Sequence, residues 1–171
     1  SDRYLRPRDA PTIGGATDVE DEMSTAILNK IYIYPEKDAP CQELEACEAL
    51  AESGLAGDRR RSRRRSVTLL SSEVWADTIA GLGTDLPPVT RRANLLVSGV
   101  DLQAAVGRRL QIGEVVLKVW GETEPCQKMD DKLEGLQQAL APEMRGGVCA
   151  EVEQEGRLRV GDEILLVESA S

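Results

Sequence analysis

Gly54–Ser71 reads GLAGDRRRSRRRSVTLLS. Glycines at 54 and 57 mark a turn. Six arginines then fall within Arg59–Arg65, interrupted only by Ser62. The segment closes on SVTLLS, Ser66–Ser71, a short apolar run of strand type. This basic cluster stands in an acidic chain: 171 residues carry Lys+Arg 21 against Asp+Glu 30, a formal net charge of −9. Three readings compete. A run of like charges is ordinarily a solvated loop. Basic runs also serve nucleic acid or nuclear import, but nucleic-acid domains carry a basic excess throughout, with stacking aromatics. Here no aromatic lies between Tyr34 and Trp75. In the third reading the run binds a small polyanion, because arginine forks grip phosphate bidentately and a glycine turn aims backbone N–H groups at the same anion. On this segment alone, loop and anion site both stay open.

Working outward, Ser72 begins a helix through Leu82, with Ser71 or Ser72 as cap and Gly83 as stop. Leu86-Pro87-Pro88 is a rigid loop and Ala93–Ser98, ANLLVS, a strand. Gly107–Gly113 is a turn with a short strand. Glu114–Trp120, EVVLKVW, places Val115, Leu117 and Val119 on one face, the pattern of a half-buried strand. Asp130–Leu140 reads as one amphipathic helix with Leu133, Leu136 and Leu140 on one side. Gly147–Val152 is a strand, Gly156 a turn, and Arg159–Val167 the closing strand. Upstream, Ala26–Tyr34, AILNKIYIY, is the first strand and Pro35–Pro40 a loop. Gln42–Glu52 is short enough that helix and strand both remain open. Residues 1–23 hold Gly, Pro, Asp and Glu without apolar periodicity and read as a flexible tail, which leaves 24–171 as a single domain. Many short strands, glycine turns and two modest helices predict a mixed α/β, mainly β fold, a barrel with short helices flanking it.

Composition narrows the chemistry. Hydrophobic residues make up 41% and charged residues 30%, the soluble globular class. Aromatics are 3% with no Phe, so aliphatic side chains must fill the core. No apolar run approaches the ~20 residues of a membrane span, and no signal peptide is visible; a cytoplasmic protein with no membrane partner is expected. Histidine is absent. That excludes a Ser-His-Asp triad, a histidine zinc site and an HExxH helix. The four cysteines, Cys41, Cys47, Cys126 and Cys149, form no CxxC pair, so a zinc ribbon is not expected. They read as reduced thiols. Cys41 and Cys47 are either a redox pair or two small buried residues.

Taken in order, several motifs form a series: GLAGDRR at Gly54–Arg60, VTLLS at Val67–Ser71, RRANLLVSGVDL at Arg91–Leu102, GRRLQIGEVVLKVWG at Gly107–Gly121, EPCQKM at Glu124–Met129, RGGVCAEV at Arg145–Val152 and GRLRVGDEI at Gly156–Ile164. Over Ile27 to Val167 the chain resembles a small stand-alone MOSC domain, the module named for the C-terminal domain of molybdenum cofactor sulfurases. The resemblance implies a MOSC-type β-barrel with flanking short helices. It implies a molybdenum cofactor (Mo-pterin), or a sulfur-carrier role, and at the level of the family pyridoxal phosphate binding. Cys126 of EPCQKM matches the family cysteine. It is expected as metal ligand or as the catalytic, persulfide-bearing thiol, since a thiolate is both nucleophile and soft ligand. By the same carry-over Arg59, Arg60 and Arg92 are expected to bind the anionic cofactor, with Asn94 as a hydrogen-bonding residue and Gly146 and Gly147 as backbone turns. Asp58 either orients an arginine or caps the turn. Many members have His where this chain has Arg60, and Arg61–Arg65 is read as a solvated extension of the pocket rim.

The enzymatic version of this reading is a cofactor-dependent reductase of N-hydroxylated compounds acting on a small-molecule substrate. It needs a separate electron-transfer protein, as sulfur carriage needs a sulfur donor. The alternative is a non-catalytic anion- or nucleic-acid-binding module that uses the Arg-rich loop, with nucleic acid disfavoured by the charge balance.

Overall fold

The computed structural model describes residues 25–167; the tail expected at 1–23 lies outside them. Among the described residues eleven strands and four short α-helices follow one another. The first strands are β1 (Ala26–Ile33), β2 (Gln42–Leu44), β3 (Ala46–Leu50), β4 (Gly54–Leu55) and β5 (Val67–Ser71). Then come α1 (Ser72–Gly81), β6 (Leu95–Ser98), α2 (Leu102–Ala105), β7 (Arg109–Ile112) and β8 (Val115–Glu122). The chain closes with α3 (Gln127–Lys132), α4 (Leu136–Leu140), β9 (Val148–Gln154), β10 (Gly156–Arg159) and β11 (Glu163–Val167). The main sheet runs β11-β7-β8-β9-β5-β6-β1-β2, and β1 also pairs with β11. That pairing, Ala26 with Ile164 and Ile27 with Glu163, closes seven strands into a barrel and leaves β2 as an appendage on β1. A three-stranded sheet, β10-β3-β4, stands beside it.

Sequence pattern and burial agree strand by strand. In β8 Val115, Leu117 and Val119 are fully buried while Val116, Lys118 and Trp120 face outward, the alternation of a strand wetted on one face. β5 and β6 form the parallel pair of the barrel, joined by α1 as a crossover. They are covered on both faces: Leu69 and Leu95 point into the barrel core, Leu70 and Leu96 into a second core under the helices with Trp75, Ile79, Met129, Leu136 and Leu140. Two-sided burial is why TLL and LLV read as continuous apolar runs. Ser71 caps α1 by accepting from Val74 N at 3.2 Å.

One open reading is settled and two expectations change: the closing strand read over Arg159–Val167 is the end of β10, a turn and β11. Gln42–Glu52 resolves as strands β2 and β3, because Cys47 and Ala49 face the core with Glu48 outside, a period of two. The helix expected over Asp130–Leu140 is two helices. Gly135, at φ 90, precedes α4, and the carboxylate of Asp130 accepts from Gln137 N at 2.9 Å, capping the second segment separately. All four cysteines are free thiols; Cys47 and Cys149 are buried, Cys41 is partly exposed and Cys126 is exposed.

Candidate functional site

The arginine run divides. Gly57 (φ +87) closes the turn after β4, and the turn is tied to the end of β1 by two bonds: Arg59 N donates to Tyr34 O at 3.1 Å, and Tyr34 N to Asp58 Oδ1 at 2.8 Å. The Asp58 side chain is 1% exposed. Its other oxygen accepts from the Arg61 guanidinium and from Asn94 Nδ2, the latter at 3.3 Å. Asn94 is fully buried, and its side-chain oxygen also accepts from Arg61 (2.9 Å), Thr68 N (3.0 Å) and Thr68 Oγ1 (3.1 Å), while Nδ2 donates to Tyr32 O as well. Asp58 and Asn94 therefore meet, with Arg61 as third member, in a network that locks the turn to β1 and β5. Every polar atom of the Asn94 amide is engaged within it.

Arg63–Arg65 forms a short 3-10 helix. Arg63 Nε pairs with Glu151 at 2.8 Å, and Arg64 stacks on Trp120, 4.0 Å from the ring centroid. Trp120 in turn donates to Glu151 at 2.7 Å. The expected solvated rim is corrected at Arg61, which turns inward because a buried carboxylate demands a cation; Arg63, Arg64 and Arg65 stay exposed, Arg63 and Arg64 lying against the outer face of β8 and β9. Arg59 and Arg60 keep exposed side chains.

Arg91 and Arg92 diverge. Arg92 adopts the left-handed conformation (φ 61), which throws the two side chains apart. The Arg92 guanidinium lies over the Tyr34 ring at 4.4 Å, a cation–π contact. The Tyr34 hydroxyl donates to Ala93 O at 3.1 Å. Burial, reinforced by Cys41 and opposed by Arg92, pushes this phenol well above the ordinary tyrosine range. A raised folded-state value means that the unfolded chain loses its proton first. The contribution is intact below pH ~10 and is lost as pH rises beyond it. Urea titrations across the alkaline range should show stability falling above pH ~10, with a shallower fall in Tyr34→Phe.

Arg91 goes the other way. Its Nε donates to Gly146 O at 3.0 Å, its Nη2 to Thr123 O at 2.7 Å, and its Nη1 lies 4.0 Å from Met129 Sδ. Thr123 and Met129 bracket Cys126, which sits exposed immediately before α3. Burial lowers the proton affinity of Arg91, while Cys126 and Glu122 raise it and Arg65 lowers it. The thiol, one carboxylate and a second cation thus lie within electrostatic reach of one guanidinium. Gly146 and Gly147 make the approach feasible: a Cβ on Gly146 would stand 3.1 Å from Arg91 Nη2, and one on Gly147 (φ +103) would collide with Leu69 O. Both are backbone positions, as their motif implied. Sequence reasoning passed over Arg91, although the doubled arginine in RRANLL was the available signal.

One cavity, about 680 Å³, opens between α1, α2 and the Glu143–Arg145 turn, and none of the expected site residues lines it. A second, about 450 Å³, lies against the Cys126 loop and is lined by Glu122, Glu124, Pro125, Asp130, Gln137, Gln138 and Ala141. Among the described residues no helix is long and apolar enough to cross a membrane.

Comparison with known proteins follows the same residues. The MOSC domain family model matches residues 56–165. Solved structures share the fold at low identity. The YuaD protein from Bacillus subtilis superposes with a TM-score of 0.71 at 22% identity, covering 86% of this chain and 97% of that one. YiiM from Geobacillus stearothermophilus gives 0.68 at 17% identity, over 84% and 75%. YiiM from Escherichia coli gives 0.67 at 15% identity, over 86% and 71%. No curated protein matches the chain.

Proposed function

The chain belongs to the MOSC domain family, and from that premise we propose that it binds molybdenum cofactor, with Cys126 as the protein's ligand to the metal. The family is associated with that cofactor. The supporting observation is the exposed Cys126 thiol, on a loop held at both ends by the part-buried Arg91 guanidinium. The residues fit the group. Among the described residues no cluster of three or more Cys, Asp or Glu could hold a bare ion. A metal at this position must therefore bring its other ligands with it, as a dithiolene-bound metal does, and needs one soft thiolate from the protein. Arg91 supplies positive charge at the Cys126 loop for an anionic cofactor, whereas Arg92 lies on Tyr34 and Arg59 and Arg60 flank the Asp58 turn. Asp58, Asn94, Gly146 and Gly147 build the frame that aims these groups. When bound, such a cofactor supplies two-electron redox chemistry.

On this reading the enzymatic activity is reduction of N-hydroxylated compounds, fed by a separate electron-transfer protein. A persulfide on Cys126 is the second reading, favoured by the thiol's exposure to a protein donor. The Arg-loop polyanion alternative loses support, since Arg61, Arg63 and Arg64 already have protein partners. The deciding experiment is co-expression of wild type and Cys126→Ala in a cofactor-producing host, with molybdenum and pterin counted per chain. Wild type should carry both in about equal number, and the variant should lose the metal. Metal retained in Cys126→Ala would overturn the assignment. Neither group present, with persulfide on Cys126, would select the sulfur-carrier reading.

A further inference from the structure

The Cys126 loop separates two regions of opposite charge. On one side stands Arg91, bonded to Thr123 O and Gly146 O. On the other is the 450 Å³ concavity, whose lining includes Glu122, Glu124 and Asp130 and no Lys or Arg. None of these three carboxylates forms an ion pair among the described residues. The concavity has the size of a small-molecule site. Its walls are fixed in advance: Gln137 N donates to Asp130 Oδ1 at 2.9 Å, and Gln137 Nε2 to Pro125 O at 3.4 Å, tying α4 to the residue before Cys126. Cys126 does not itself line the concavity, but Glu124 and Pro125 of the lining directly precede it in the chain, which sets this wall beside the loop that carries the thiol.

An anion in this concavity would meet three carboxylates with no cation in the lining, so it is the wrong seat for a pterin phosphate. We propose that the concavity is the substrate-selecting pocket of the Cys126 centre and that it takes small molecules bearing a positive charge, with Glu122 and Glu124 as specificity-determining residues. The proposal rests on Cys126 being the reactive centre, as argued above. Unpaired carboxylates around a preformed pocket raise the local concentration of a cation and reject anions of the same shape, which is selection by repulsion as much as by attraction.

The test uses the purified chain and two probes of matched shape, benzylamine, a cation at neutral pH, and benzyl alcohol, which is neutral. Each is titrated against the rate at which iodoacetamide alkylates Cys126, read by peptide mass spectrometry, with the partly exposed Cys41 as internal control. Benzylamine should protect Cys126 with an affinity about tenfold above that of benzyl alcohol, should leave Cys41 unprotected, and should lose that preference in Glu122→Gln/Glu124→Gln. Equal protection by both probes, no protection, or equal protection of Cys41 would overturn the proposal. Alkylation is followed on the cofactor-free chain, where the thiol carries no metal. A chain that never binds molybdenum can therefore still pass this test, and one that binds it can still fail, which keeps the two readings separable.

Discussion

Gly147→Ala should be the most damaging single methyl group that can be added to this barrel, destabilising it by about 4 kcal/mol or more. Gly147 sits at φ +103, where an L side chain is strained by ~1–2 kcal/mol. Its Cβ would also lie inside the van der Waals radius of Leu69 O. Neither partner can retreat. Leu69 is central in the sheet, paired with Val148 on one side and Leu95 on the other, and Gly147 O is held by Thr123 N at 2.9 Å. Any shift would carry Gly146 O away from Arg91 and so loosen the loop that presents Cys126. Against a total stability of order 5–15 kcal/mol, much of the variant should be unfolded. Urea unfolding followed by Trp75 and Trp120 fluorescence measures this. Gly121→Ala, whose Cβ would meet nothing within 4 Å, serves as control and should stay within about 0.5–1 kcal/mol of wild type. A Gly147→Ala protein that matches that control would show that the β5–β9 junction is more yielding than its hydrogen bonds imply.

This junction also shows where sequence reading succeeds. Alternation in Glu114–Trp120, the continuous runs TLL and LLV, and the Ser71 cap are local signals, each set by which face meets water, and each was legible. The barrel follows from them because half-buried antiparallel strands must close or find cover. What was not legible depends on contacts far apart in sequence. Arg61 is chemically the same as Arg60, yet it alone turns inward, because Asn94 and Thr68 complete a polar site around Asp58. Arg91 looked interchangeable with Arg92; the positive φ of Arg92 sends them to opposite sides. The break at Gly135 was masked by leucines whose spacing continues across it. Cys126 was singled out by resemblance; its exposure, and the Arg91 bonds to Thr123 and Gly146 beside its loop, come from the fold.

Asp58→Leu should destabilise the protein by about 3–5 kcal/mol, the range for removing one member of a buried ion pair, and Arg61→Met added to it should restore at least about 1 kcal/mol. Asp58 is almost completely enclosed, and its carboxylate accepts from a backbone N–H, an amide and a guanidinium. Removing it strands the Tyr34 N–H and leaves the Arg61 charge facing only the Asn94 oxygen. Arg61 Nε is already buried without a partner, so the guanidinium has little solvation to fall back on. Methionine at 61 takes the cation away while its flexible stem fills the space; the double variant then lacks both the ion pair and the uncompensated charge. The same pair decides what GLAGDR does. If Asp58 and Arg61 act through the turn alone, the folded double variant should alkylate at Cys126 at the wild-type rate. A change of several-fold in that rate, with the fold intact, would instead make the Asp58–Arg61 pair part of the environment that the thiol feels. In that case the Arg59–Arg65 run would contribute to the Cys126 centre through the one arginine that turns inward.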